Sequence, residues 1–228
     1  MQAVILAAGK GTRFGELTKT TPKSLMPVLG KPILEYTLSS LPFSIKEVLI
    51  VIGHLGNQIQ NRFGSKFGKF DIKYIEAGEL NGTGGAAWAA KAYIKNRFLV
   101  LSGDDIYSKG ELEKLVGIKT WAAGLSKAIP QSPKYLTFEL GKNNRVLGAR
   151  YPSEYEMKNG ILVSTGAFVL NKNIFRSSLV PIGEAGEFGL PQTILKVTRK
   201  YPTKGVLMKK WILINRTEDI IRAESLLK

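Results

Sequence analysis

The sequence contains no cysteine. That excludes disulfides, thiolate metal sites and cysteine nucleophiles together. It contains one histidine, His54, so a serine–histidine triad would have to use it and two-histidine metal motifs are excluded. His54 follows the strand-like stretch 47–53, where a strand needs a turn and a polar exit, and a structural role is expected for it. No run approaches the ~20 apolar residues of a membrane-spanning helix. The chain opens on a strand-like segment at 2–7 rather than on a basic-then-apolar leader. No membrane association and a cytoplasmic location are therefore expected. Acidic residues are scarce, 18 against 33 basic. Whatever chemistry exists must be run by carboxylates, lysines, arginines, backbone amides and a metal.

The resulting charge of +15 and pI near 9.9 favour polyanionic partners: nucleotides, phosphosugars, nucleic acid or anionic lipid. Residues 196–210 carry Lys196, Arg199, Lys200, Lys204, Lys209 and Lys210 and no acid. A solvated helix end followed by a strand edge accounts for this stretch. A nucleic-acid-binding face is the alternative, but no aromatic-rich RNA-binding motif, zinc finger or arginine-rich arm accompanies it.

At 228 residues, 44% hydrophobic and 22% charged, the chain suits one well-buried domain. Strand and helix patterns alternate in its first half. Strands are expected at 2–7, 47–53, 71–76 and 97–103, and helices at 31–41, 54–63 and 84–95, with Pro32 tolerated in a first turn. This rhythm argues for a Rossmann-like three-layer α/β/α fold around a mixed, mostly parallel sheet. After about residue 120 the pattern changes to strands at 120–128, 135–140, 145–151, 161–170 and 203–214. Helices are expected at 187–200 and 217–227, the latter capped by Asn215 or Thr217. A single domain over 1–228 is expected, with 1–119 the nucleotide-binding half and 120–228 the acceptor-facing half, continuing one sheet.

The chemistry concentrates between the first strand and residue 30. Leu6-Ala7-Ala8-Gly9-Lys10-Gly11-Thr12-Arg13 is neither G-x-G-x-x-G nor a P-loop. Its glycines let the backbone approach a ligand and aim successive amides at phosphate oxygens. Arg13 adds a forked donor suited to phosphate. Ten residues on, Lys23 is held beside Pro22. A 24-residue loop without elements is unusual in a compact domain unless it is functional. Farther along, Gly103-Asp104-Asp105 closes an apolar strand, where α/β sheets place ligand groups.

These segments carry a specific resemblance. Leu-Ala-Ala-Gly-x-Gly-Thr-Arg at 6–13, followed by Thr-x-Pro-Lys-Ser-Leu-Met-Pro-Val-x-Gly-Lys-Pro-Ile-Leu-Glu-Tyr at 20–36, resembles the signature of sugar-1-phosphate nucleotidyltransferases. The similarity is to the short form of that family, without a C-terminal β-helix domain. It continues at lower density to Ala223-Glu224-Ser225-Leu226. The resemblance implies an NTP and a phosphorylated small-molecule acceptor as partners and Mg²⁺ as cofactor. The phosphate of a sugar 1-phosphate would attack the α-phosphorus, and pyrophosphate would leave. It assigns Leu6, Ala7, Ala8, Gly9, Gly11 and Thr12 to the triphosphate, Arg13 to the departing pyrophosphate and Lys23 to charge at the α-phosphate. Arg13 and Lys23 are the catalytic candidates. Asp104 matches the metal aspartate. Residues 76–85 match a base-recognition turn, with Gly82 and Thr83 against the base edge. Glu76 or Glu79 stands where the family usually has glutamine. A carboxylate only accepts hydrogen bonds, which suits an imino N–H and slightly favours UTP or dTTP. Nothing in the sequence excludes a homo-oligomer.

The second half departs from the family pattern. Where a Glu-Lys-Pro element would place a lysine on the sugar phosphate, this chain has Arg150-Tyr151-Pro152, and Arg150 or Lys158 is the nearest substitute cation. Where Trp-x-Asp-x-Gly-Thr would supply a second metal carboxylate, it has Trp211-Ile212-Leu213-Ile214-Asn215-Arg216. Ser164-Thr165-Gly166 keeps a sugar-contacting turn, giving Thr165, Gly166 and Arg150 as acceptor candidates. Three readings follow: a transferase with an unusual acceptor, a nucleotide-binding paralogue with weak or no transferase activity and a regulatory or assembly role, or a basic polyanion- or nucleic-acid-binding protein that reuses the fold.

Overall fold

A computed structural model describes residues 1–78, 81–130, 135–183 and 186–228. Eight strands form its central sheet: β1 (Gln2–Ala7), β2 (Glu47–Ile52), β3 (Lys66–Phe67), β4 (Phe70–Glu76), β5 (Arg97–Ser102), β6 (Trp121–Ala128), β7 (Ile161–Asn171) and β8 (Thr203–Leu207). Their order across the sheet is β8-β6-β7-β5-β1-β2-β4-β3. The pairs β1–β2, β1–β5, β2–β4 and β6–β8 are parallel. The long strand β7 runs antiparallel to both β5 and β6, and β3 antiparallel to β4. Strands β6, β7 and β8 come from the second half of the chain and extend the same sheet, whereas the expected strands at 135–140 and 145–151 pair with each other over Thr137–Leu140 and Val146–Arg150 in a separate two-stranded sheet.

The helices are α1 (Leu17–Thr20), α2 (Ile33–Ser39), α3 (Gly56–Phe63), α4 (Gly82–Ala89), α5 (Lys109–Gly117), α6 (Glu154–Asn159), α7 (Leu190–Val197) and α8 (Thr217–Leu227). The period-2 alternation of the strands sends successive side chains into two cores. Ala3, Ile5, Ile50, Leu99 and Leu101 pack with Leu34, Leu38, Ile59 and Leu112 from α2, α3 and α5. Val4, Leu49, Val51, Phe98 and Val100 pack on the other face with Ala86, Leu190 and Ile194 from α4 and α7. The sheet is thus the middle of three layers, as the strand–helix alternation implied. A third cluster, Phe14, Met26, Val28, Ile33, Ile106, Ile214 and Ala223, ties the loop after β1 to α8.

Several expected elements differ in extent. The 8–30 segment is not element-free: it holds 3-10 turns at Thr12–Phe14 and Lys23–Leu25 and the one-turn α1. Helix α2 starts after Pro32, which sits at the N-cap in an extended conformation and pairs with Pro27. Helix α4 begins two residues early at Gly82 and ends at Ala89, with a separate 3-10 turn at Lys91–Tyr93. Residues 187–189, expected as helix, form a strand against Val180–Ile182. There the Phe188 N–H is drawn to the Asn81 carbonyl at 3.0 Å, and α7 starts only afterwards, with Pro191 in its first turn. The strand expected over 203–214 breaks after Leu207, and Trp211–Ile212 pairs instead with Ile106–Tyr107. Helices α5 and α6 stand outside the expected elements. The N-cap of α8 is Arg216, between the two candidates, and the Asp219 carboxylate accepts the N–H groups of Asn215 and Arg216 at 2.8 and 3.0 Å.

Candidate functional site

Strands β1, β2 and β5 end side by side, with Leu6 opposite both Val51 and Ser102. From β1 the chain passes to β2 on one side, while β5 lies on the other. The crevice beyond their carboxyl ends is thus the switch point where open α/β sheets bind ligands. The loop from Ala8 to Thr12 leaves β1 into this crevice, and Gly103-Asp104-Asp105 enters it from β5.

The loop is held from below. Gly11 has φ +63° and ψ 31°, a left-handed conformation, and a Cβ there would come within 2.9 Å of Thr18 Cγ2 and 3.0 Å of Lys23 Cβ. The Thr18 hydroxyl donates to the Gly11 and Gly15 carbonyls, both at 3.1 Å. His54 Nε2 contacts the Thr18 carbonyl at 3.1 Å, and Gln58 donates to that of Thr20 at 2.8 Å. The single histidine therefore clamps the loop, in keeping with a structural role. Gly9 differs from Gly11: its φ is not positive, and a Cβ there would meet nothing within 4 Å. The fold does not need a glycine at that position. Arg13 is exposed and pairs with no carboxylate among the described residues.

Lys23 is 9% exposed, and its ammonium lies 2.5 Å from Asp104 Oδ2 and 5.5 Å from the Phe14 ring centroid. The two residues are 81 positions apart. Their contact joins the second signature segment to the end of β5, and the Asp104 side chain keeps 38% of its surface open. This carboxylate already seats a cation. Asp105 behaves differently. It is buried and accepts from Trp211 Nε1 at 3.1 Å and from the Ile214 N–H at 3.2 Å. Burial, and then the Asp104 charge, push its pKa up to about 8. Its neighbour Glu111, buried on α5, accepts the N–H groups of Lys209 and Lys210. Two buried carboxyl groups thus fasten residues 209–214 to the mouth of the sheet, and neither has a sequence signature beyond its residue type.

The remaining candidates are placed as follows. Gly166 has φ +71°, and a Cβ there would strike the side chain of Ser102, two residues before Asp104, so this turn belongs to the same end of the sheet. The Thr165 hydroxyl is buried and donates to the Gly124 carbonyl at 3.0 Å, while its own carbonyl accepts from Tyr107 at 2.8 Å. Its side chain serves the strand junction rather than an acceptor. Arg150 is likewise committed. Its guanidinium grips Glu156 with two bonds of 2.8 Å and reaches Glu139 at 3.1 Å. The Glu156 carboxyl is drawn down to about 2 by Arg150 and by the Ser153 cap of α6. Gly82 has φ +79° and Gly84 lies beside it; a Cβ on either would strike Phe188, at 2.5 Å for Gly82. The Thr83 hydroxyl accepts the Leu190 N–H at 3.0 Å. The Gly-Thr-Gly-Gly motif therefore has a packing duty, joining α4 to α7. Glu76 is exposed at the end of β4; Glu79 lies outside the described residues.

With this geometry established, a family model described as Nucleotidyl transferase matches residues 2–132. The chain belongs to the nucleotidyl transferase family of enzymes. It is 34% identical over 99% of its length to a protein named Bifunctional protein GlmU of Methanococcus vannielii, of which it spans 54%. It is 31% identical over 77% of its length to D-glycero-alpha-D-manno-heptose 1-phosphate guanylyltransferase of Campylobacter jejuni subsp. jejuni, covering 78% of that protein. The chain thus spans about half the length of the first of these relatives and most of the second. A solved structure titled as UDP-glucose pyrophosphorylase complexed with UDP-glucose matches the fold with a TM-score of 0.82 at 20% identity. That match covers 99% of this chain and 97% of the other. The sugar-1-phosphate nucleotidyltransferase resemblance read from residues 6–36 stands.

No helix among the described residues is long and apolar enough to cross a membrane. No cluster of three or more His, Cys, Asp or Glu side chains able to hold a metal occurs among them either.

Proposed function

We propose that this chain transfers a nucleotidyl group from an NTP to a sugar 1-phosphate or a similar phosphorylated acceptor. An acceptor phosphate oxygen bonds to the α-phosphorus, the bond from that phosphorus to the bridging oxygen breaks, and pyrophosphate departs with the electron pair. The observation that carries this reading is the Lys23–Asp104 pair at the mouth of the Gly9–Gly11 loop. It sets a cation and a carboxylate side by side at the switch point, beside backbone free to approach phosphate.

In this reading the amides from Ala8 to Thr12 hold the triphosphate. Lys23 turns from Asp104 to the α-phosphate, where negative charge builds as the new bond forms. Exposed Arg13 neutralises the leaving pyrophosphate. The half-open Asp104 carboxylate suits Mg²⁺, which commonly takes one or two protein carboxylates and fills its other positions with phosphates and water. When bound it supplies charge neutralisation across the phosphates. Asp104 is the residue that would hold it, because the Asp105 oxygens are already engaged by Trp211 and Ile214. Exposed Glu76 is an acceptor at the base end and favours the imino N–H of UTP or dTTP over CTP. On the acceptor side, the Gly166 turn lies beside Ser102 at the end of β5, and Arg150 would have to leave Glu156 and Glu139 to meet a sugar phosphate.

The test is pyrophosphate release from each NTP with Mg²⁺ and a panel of sugar 1-phosphates. Release with one pairing, UTP or dTTP ranking first, is the expected result. Tight NTP binding with no release from any acceptor would favour the non-catalytic paralogue instead.

A further inference from the structure

The amino end of β5 lies opposite the nucleotide crevice and carries a second concave site. Helix α4 ends at Ala89, and the 3-10 turn Lys91–Tyr93 leads on toward Arg97 at the start of β5. Strand β7 runs antiparallel to β5 and delivers its last residue, Asn171, opposite Arg97. The chain then enters the 3-10 turn Lys172–Arg176, pinned by the Lys172 N–H on the Asn96 carbonyl at 2.9 Å. Between the two turns lies a cleft of about 260 Å³ lined by Lys91, Ile94, Lys172, Asn173, Phe175 and Arg176.

Its lining contains three cations and no carboxylate. None of the three forms an ion pair among the described residues. Its floor is rigid and apolar. Ile94 and Phe175 are both 8% exposed, and the Phe175 ring stacks on Phe98 at 5.7 Å and meets Trp88 edge-on at 5.0 Å. Three like charges lining one cleft without a counter-charge make its potential positive, and a bound anion is favoured there. Asn173 adds a neutral amide suited to an ester or hydroxyl oxygen.

We infer that this cleft binds a soluble phosphate monoester, its phosphate on Lys91, Lys172 and Arg176 and its carbon skeleton on Ile94 and Phe175. This site is independent of the transfer reaction proposed above. The probe is inorganic phosphate, titrated into the ¹⁵N-labelled full chain with chloride adjusted to hold ionic strength constant. Amide shifts across residues 172–176 are expected to saturate. The double variant Lys172→Ala/Arg176→Ala is expected to weaken that response about ten-fold, the scale of losing charge-assisted contacts, without changing the response of Gly9–Thr12. If the double variant loses its dispersed spectrum, Lys91→Gln, on an exposed turn, serves in its place. A linear drift that chloride reproduces overturns the inference, and so does an unchanged midpoint in the variant. Retention on phosphatidate-doped vesicles without saturation by free phosphate would overturn the soluble ligand.

Discussion

Gly9→Ala separates a glycine that the fold requires from one that a ligand requires. A Cβ at Gly9 would stand in open space, and its φ is not in the left-handed region. The substitution should leave stability within about 0.5 kcal/mol, or raise it by roughly 0.4–1 kcal/mol by restricting the unfolded chain. If triphosphate oxygens accept from the amides of Ala8 to Thr12, the new methyl enters the space they need. Losing one charge-assisted hydrogen bond costs roughly 1.5–3 kcal/mol, or about 10- to 150-fold in Kd. Gly11→Ala is the counterpart. It places a side chain at φ +63°, which costs roughly 1–2 kcal/mol, and presses on Thr18 and Lys23 at 2.9 and 3.0 Å. It should lower both melting temperature and affinity. The assays are thermal melting without ligand and calorimetric titration with the preferred NTP. A Gly9→Ala protein with unchanged Tm and a Kd within two-fold of the parent would refute the phosphate role of this backbone.

Lys23→Ala should slow pyrophosphate release by roughly 10²–10³, the scale of losing one preorganised electrostatic group. Arg13→Ala should slow it similarly while leaving Tm unchanged, because Arg13 is exposed; steady-state rates and melting curves check both. Leu213→Asp should tighten Mg²⁺ binding and raise turnover if a metal carboxylate is missing at that position, and an unchanged metal titration would show that none is needed there. Arg150→Ala should raise the Glu156 pKa from about 2 toward its ordinary 4.5, read by carboxyl ¹³C shifts. Because the folded value is the depressed one, the Arg150–Glu156 contribution to stability is present above about 4.5 and disappears as pH falls toward 2. A Glu156 titration that ignores the substitution would refute the pairing.

What could be read in the sequence was whatever is written in contiguous residues. The continuous apolar runs Ala3-Val4-Ile5 and Val48-Leu49-Ile50 mark strands buried on both faces, and these strands split their side chains between the two cores. The loop signature was legible because glycines, Arg13, Lys23 and three prolines are rare in that order. Side-chain commitments were not legible, whether to near or distant partners. Arg150 looks like a free cation until Glu156 and Glu139 close on it, and Thr165 looks like a ligand until its hydroxyl turns to Gly124. The strand at 187–189 pairs with Val180–Ile182, and it is also bridged to Asn81, over a hundred residues away, a contact that no local pattern announces. The Ser-x-x-Glu spacings at 108–111 and 153–156 were the local signals available for the missed helices α5 and α6, and of the two serines only Ser153 caps its helix through its side chain.

The departure at Leu213 takes on a different meaning once Asp105 and Glu111 are considered. Had the second half drifted from the family arrangement, residues 209–214 would have no reason to lie at the mouth of the sheet. Yet two buried carboxyl groups hold them there, one through Trp211 and Ile214 on either side of Leu213, the other through Lys209 and Lys210. The Leu213 carbonyl is also taken, by Arg222 of α8 at 2.8 Å. Burying Asp105 unfavours its charged form, and that cost is borne to keep this segment in place. The backbone that would present a second carboxylate is thus maintained while the carboxylate itself is absent. A site being dismantled would be expected to lose its costly fastenings along with its ligand. Retaining them favours the proposed transferase over a dismantled site, because the segment bearing Leu213 keeps its place beside Asp105.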